Sequence, residues 1–206
     1  MNNSAQAMYA LNLDQCVDLI AAVGSKRTVL LEGDMGGGKS STIRTLSEMF
    51  PNHVACYFDC TTKDLGDLNL PNMAVMNEQG YVTFVPNEEL GAHLGKPVIV
   101  MIDELGKANT AVGNALLRVM QERMVGSLKL HPDSIVYATT NKGSEGVGDI
   151  LRPHARNRIT VVQVRKTDHM ALIEFGINDG WDHSMLGWIK DNPHLMASFE
   201  DVKDPD

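Results

Sequence analysis

Residues 33–40 read Gly33-Asp34-Met35-Gly36-Gly37-Gly38-Lys39-Ser40, a full match to G-x-x-x-x-G-K-[ST]. The flanks give the pattern its meaning. Upstream, RTVLLE at 27–32 is a short β-branched and leucine run that reads as a buried strand. Downstream, 39–50 carries Ile43, Leu46 and Met49 at helical spacing and stops at Pro51. A loop between a strand and a helix can turn its backbone N–H groups inward around an anion. Glycines permit the close approach and the positive φ angles this needs, and the helix start adds its dipole. The reading is therefore a phosphate-binding loop over 33–41, including Asp34, Met35 and Ser41. Lys39 is expected to reach β- and γ-phosphates, and Ser40 to offer its hydroxyl to Mg²⁺.

A second signal is Val98-Ile99-Val100-Met101-Ile102-Asp103-Glu104. Its continuous apolar run predicts a central parallel strand covered on both faces, ending in two adjacent acids. Ligands of open α/β sheets bind at that end. Asp103 is the expected Mg²⁺ ligand and Glu104 the base that polarises an attacking water. Asn141 closes another strand, IVYATTN, where its amide can orient that water. Arg152, Arg156 and Arg158 precede the strand ITVVQV, and one or two of them can act as fingers on a neighbouring subunit's γ-phosphate.

Around these motifs helices and strands alternate. Helices are predicted over 13–23 and over 111–123 with Thr110 as cap, and strands over 53–59, 133–140 and 159–164. This is an α/β fold with a five-stranded parallel sheet between helical layers. Segments 71–86 and 124–132 read as hairpins. After Thr167 the pattern is helical, so the division expected is 1–165 and 166–206.

The 206 residues are 43% hydrophobic and 21% charged, which excludes a wholly disordered chain. No apolar run reaches membrane-span length, and the start lacks the basic and apolar regions of a signal peptide. A net charge of −8 argues mildly against nucleic acid as the main partner. Three cysteines (Cys16, Cys56, Cys60) without a C-x-x-C pair fit structural thiols in a reducing cytosol. Asn141-Lys142-Gly143-Ser144 begins like a guanine-reading loop. Ser144 stands where a carboxylate must accept from the base, so ATP is favoured over GTP.

The order of strand, phosphate loop, acid-ending strand, NALLRVMQER helix, YATTN strand and arginine segment resembles an AAA+ ATPase, a P-loop NTPase with a three-layer α/β/α core. DELGKANTAVGNALLRVMQERMV (103–125) is similar to the MoxR family and its relatives, and segment 71–86 to the hairpin that interrupts the family's second helix. The resemblance implies the same roles for Lys39, Ser40, Asp103, Glu104 and Asn141. It makes Arg158, in Asn157-Arg158-Ile159, the first candidate finger, with Arg156 and Arg152 open. It implies a hexameric, cytoplasmic ring that remodels a protein partner, with a helical lid, 166–206 being a partial lid or a C-terminal extension. The lid's nucleotide-sensing arginine has no counterpart, since no arginine follows Arg165. The rivals are a motor or regulator acting on DNA, with Lys63, Lys107, Lys129 and Lys142 scattered rather than clustered, and a GTP switch.

Overall fold

The computed structural model describes residues 10–68, 70–142 and 158–196. The chain separates by its internal contacts into two compact units, Met1–Arg165 and Lys166–Asp206.

In the first unit the elements run α1 (Leu13–Val23), β1 (Val29–Gly33), α2 (Thr42–Met49), β2 (Val54–Asp59), α3 (Leu65–Leu68), β3 (Leu70–Pro71), α4 (Met73–Gln79) and β4 (Phe84–Val85). They continue with β5 (Val98–Asp103), α5 (Thr110–Glu122), β6 (Met124–Val125), β7 (Leu128–Lys129), β8 (Ile135–Asn141) and β9 (Thr160–Gln163). The main sheet has the order β2-β5-β8-β1-β9, with every pair parallel. Because the strands are parallel, all their carboxyl ends lie along one side of the sheet. This brings Gly33, Asp59, Asp103 and Asn141 together although over a hundred positions separate the first from the last: Asp59 pairs with Asp103, and Gly33 with Asn141.

Alternation sorts the strand residues onto two faces. Val29, Leu31, Ile99, Met101 and Tyr137 pack with Cys16, Ile20 and Leu46 of α1 and α2. Leu30, Val100, Ile102, Val136 and Ala138 pack with Val112, Leu116 and Val119 of α5. All six residues of β5 are buried. Each fully buried aliphatic side chain stabilises by about 1.5–3 kcal/mol, so the two faces together make the three-layer core. Cys16, Cys56 and Cys60 are buried free thiols; burial raises their pKa values, that of Cys16 to about 11 and that of Cys60 to about 12.

Four sequence expectations need correction. Segment 71–86 is not a simple hairpin. Asn72 caps helix α4 by accepting from the Val75 N–H, and Gly80 ends it at φ 74°. The flanking residues then form a two-rung antiparallel ladder, Leu70 with Val85 and Pro71 with Phe84. Met, Ala, Glu and Gln at 73–79 are good helix formers, and the weak alternation concealed this. The cap of α5 is Asn109, whose side chain accepts from the Val112 N–H, and Thr110 is the first helical residue. The helix expected over 39–50 starts as a 3₁₀ turn over Lys39–Ser41. Met49, expected on one side of the helix with Ile43 and Leu46, is exposed while Leu46 is buried. Segment 124–132 does form a hairpin, β6 with β7, turning at Gly126 with φ 57°.

The second unit holds α6 (His169–Asn178) and α7 (His183–Asp191). Asp168 and Asp182 cap them, accepting from the Ala171 and Ser184 N–H groups. Gly176 lets the pair close: a Cβ there would stand 2.6 Å from Leu186 Cδ2.

Candidate functional site

β1 delivers Gly33 to the carboxyl edge of the sheet. A Cβ at Gly33 would come 2.9 Å from Val164 Cβ, so the entry to the loop has no room for a side chain. The loop then turns with Gly36 at φ 73° and Gly38 at φ 79°, a region that other residues enter only with strain. A Cβ at Gly36 would meet nothing within 4 Å, so the crest is open. Met35 points outward and is exposed. Gly37 N–H donates to Asp34 O at 3.2 Å, and Ser41 Oγ donates to Gly38 O at 2.7 Å, which hold the curl. Thr42 Oγ1 ties its base by donating to Lys39 O at 2.6 Å.

Lys39 is 7% exposed. Its Nζ donates to Gly33 O (3.0 Å), Asp34 O (2.8 Å) and Asn141 Oδ1 (3.0 Å). Burial pulls its pKa down, opposed by the negative charges of Glu104, Asp103 and Asp34. Neutral oxygens hold the ammonium directly, and these bonds are weaker than bonds to an anionic oxygen.

Asn141 faces both ways. Its Oδ1 accepts from Lys39, and its Nδ2 donates to Glu104 Oε2 (2.9 Å) and Oε1 (3.1 Å). Glu104 itself sits at φ 53°. A non-glycine residue there carries about 1–3 kcal/mol of strain, commonly at functional positions. Glu104 N–H donates to Asp103 Oδ1 at 3.1 Å, and Lys107 Nζ stands 3.5 Å from Glu104 Oε2.

Asp103 is 6% exposed and satisfied from both sides. Ser40 Oγ donates to Oδ2 at 2.9 Å, Tyr57 OH donates to the same oxygen at 2.8 Å, and Thr139 Oγ1 donates to Oδ1. Desolvation, joined by the bond to Asp103, holds the Tyr57 phenol above its usual pKa. A hydroxyl and a carboxylate side by side are the hard oxygen donors that Mg²⁺ prefers. An open glycine crest beside a lysine held by neutral acceptors suits a polyphosphate. The residues fit both groups: Ser40 and Asp103 for the metal, 33–41 for the phosphates.

The structure thus brings together Lys39, Ser40, Asp103, Glu104 and Asn141. Arg158 is elsewhere. It lies two residues before β9, whose Thr160 pairs with Val29 at the opposite end of β1 from the loop, and its guanidinium donates to Gln121 Oε1 at 3.3 Å. Arg152 and Arg156, like Ser144, lie outside the described residues. Tyr57, Thr139 and Lys107 join the cluster without having been singled out for it. Lys142 also does so, 3.8 Å from Asp34 Oδ1. Register is the signal that could have found Tyr57 and Thr139: pairing Asp59 with Asp103 puts Tyr57 on the face of Asp103, two residues back.

Among the described residues no helix is long and apolar enough to cross a membrane. Two curated proteins share 129 aligned residues with the chain. The Nif-specific regulatory protein of Herbaspirillum seropedicae is 29% identical over 59% of this chain and 23% of its own length. That of Azorhizobium caulinodans is 31% identical over 59% and 20%. The chain therefore spans about a quarter or less of these relatives. A solved structure of a candidate ATPase from Cytophaga hutchinsonii superposes with a TM-score of 0.56 at 18% identity, over 84% of this chain and 52% of that one, a likeness of fold. The model of the AAA domain (dynein-related subfamily) matches residues 28–141, which run from the residue before β1 to Asn141 and take in the loop and the acid pair. That span is more than half of the sequence, and the chain belongs to the AAA domain family, dynein-related subfamily.

Proposed function

We propose that this chain is a Mg²⁺-dependent ATPase that works as one subunit of a ring and couples hydrolysis to remodelling a protein partner, as MoxR-like proteins do. Residues 1–165 serve as the nucleotide-binding core and 166–206 as part of a helical lid. The observation that carries the reading is the Asn141 amide, which touches the Lys39 ammonium and the Glu104 carboxylate at once. One amide thereby links the group that would bind phosphate to the group that would take a proton.

Lys39 exchanges its carbonyl partners for the β- and γ-oxygens of ATP, because a charge-assisted bond to phosphate outcompetes a bond to a neutral oxygen. Backbone N–H groups of 36–41 cradle the remaining oxygens. Ser40 and Asp103 would hold Mg²⁺, which would supply charge neutralisation there. Glu104 accepts a proton from water as the water oxygen bonds to the γ-phosphorus and the bond to the ADP oxygen breaks. Asn141 holds Glu104 and that water in line. Arg158 acts in trans, with Arg156 as its alternate, so turnover depends on assembly.

Glu104→Gln is the test. Turnover is expected to fall at least about 100-fold, while binding of a fluorescent ATP analogue stays within twofold. Wild-type turnover in the purified variant removes Glu104 from the base role. An excess of GTP should not displace the analogue as ATP does. A second reading, a regulator on the same core, is favoured by the names of the two curated relatives. Steeply salt-dependent binding to duplex DNA would support it.

A further inference from the structure

The sheet edge reaches into the metal site at one point. Among the described residues β2 is an edge strand, paired with β5 in the main sheet. Tyr57 on it is 47% exposed, yet its hydroxyl turns from solvent to the buried Asp103. It meets Oδ2, the oxygen that also accepts from Ser40. The other oxygen, Oδ1, is held by Thr139 and by the Glu104 N–H. Three of these four donors come from the loop, from β8 and from the residue after β5. They would be present whatever occupied the edge. The fourth comes from a side chain whose ring lies partly in water.

The consequence is geometric. With Oδ1 anchored, the free motion of the Asp103 carboxylate is rotation that swings Oδ2. The Ser40 hydroxyl alone does not stop this, since Ser40 itself must remain able to turn its lone pairs toward a cation. We propose that Tyr57 is a positioning residue for the divalent metal: its hydroxyl holds Asp103 Oδ2 from the sheet edge, so that Oδ2 and Ser40 Oγ are prepared as a pair of oxygen donors. The proposal rests on the reading of Ser40 and Asp103 as the Mg²⁺ site. Partners that orient a metal's ligands typically change metal affinity by about 10–100-fold when removed, and a phenol at a half-exposed edge belongs at the lower end.

The experiment adds MgCl₂ to the full chain with a fluorescent ATP analogue and compares wild type with Tyr57→Phe. It records the affinity in EDTA, the Mg²⁺ concentration at half-maximal tightening, and the melting temperature. Tyr57→Phe is expected to need about 10-fold more Mg²⁺, with the affinity in EDTA within twofold. An unchanged Mg²⁺ midpoint overturns the role of Tyr57 while leaving the site intact. So does a loss of affinity in EDTA, which marks a general structural effect. A wild-type protein whose nucleotide affinity ignores Mg²⁺ overturns the site reading itself, and the proposal with it. Asp103→Asn separates direct from indirect action: in that background Tyr57→Phe should add less than twofold. An undiminished 10-fold effect there would mean that Tyr57 does not act through Asp103.

Discussion

The two ends of β1 each hold a cation on neutral oxygens, and they use it differently. At the carboxyl end, Lys39 donates to Gly33 O, Asp34 O and Asn141 Oδ1. At the amino end, Arg123 donates to Gly24 O (2.9 Å), Met120 O (3.0 Å) and Thr28 Oγ1 (2.6 Å). Thr28 Oγ1 in turn donates to Met120 O, closing a small network among α1, β1 and α5. Both sets of acceptors are neutral, and burial lowers both pKa values. The surroundings differ. Lys39 sits in the field of Glu104, Asp103 and Asp34, on a loop whose crest is open. Arg123 ends α5 in a left-handed conformation at φ 59° and fastens that end to the start of the sheet. One cation can change partners without unfolding anything, and the other is a rivet.

The sharpest way to break this contrast is Lys39→Ala. Nucleotide affinity should fall by at least about 100-fold, since charge-assisted bonds to phosphate are lost, with little change in melting temperature, as read by analogue binding and calorimetry. A collapse of the fold would make Lys39 a rivet too. Next comes Arg123→Ala, expected to destabilise by about 3 kcal/mol because buried acceptors lose their donor and α5 loses its tie. Urea unfolding measures this, and the nucleotide affinity of the folded protein should not move. A large affinity loss there would join the two ends functionally. The smallest effect is in pH. The folded-state pKa of Lys39 lies below 10.5, so the unfolded chain holds that proton more tightly. Its share of stability therefore rises as pH climbs from the folded value toward 10.5. The buried thiols act oppositely: their raised values mean stability lost from about pH 9 toward 12. The difference between wild type and Lys39→Met, in urea series carried upward to pH 10.5, isolates the lysine limb. A flat difference would mean that Lys39 is as well solvated folded as unfolded.

The legibility of the molecule follows the range of the forces. Gly36, Gly38, Lys39 and Ser40 are readable because loop, strand and helix are contiguous and each depends on neighbours a few positions away. The continuous run of β5 announces a strand covered on both faces. Segment 71–86 is harder. Helix α4 depends on a cap at Asn72 and a left-handed Gly80, and its flanks depend on a two-rung ladder that no local pattern declares. Arg123 looks from sequence like one charge in Met-Gln-Glu-Arg. Only a close approach of α5 to Gly24 and Thr28, about a hundred positions earlier, makes it a half-buried clamp.

From the sequence alone follow the α/β alternation, the parallel sheet and the glycine-rich turn between β1 and the helix after it, because spacing and hydrophobic period act over a turn or a strand. Strand order decided the rest. Placing β5 between β2 and β8, and β8 between β5 and β1, sets Tyr57 and Thr139 on Asp103, and Asn141 between Lys39 and Glu104. Those contacts join residues tens of positions apart, and such distances close only when the whole sheet has buried its two faces.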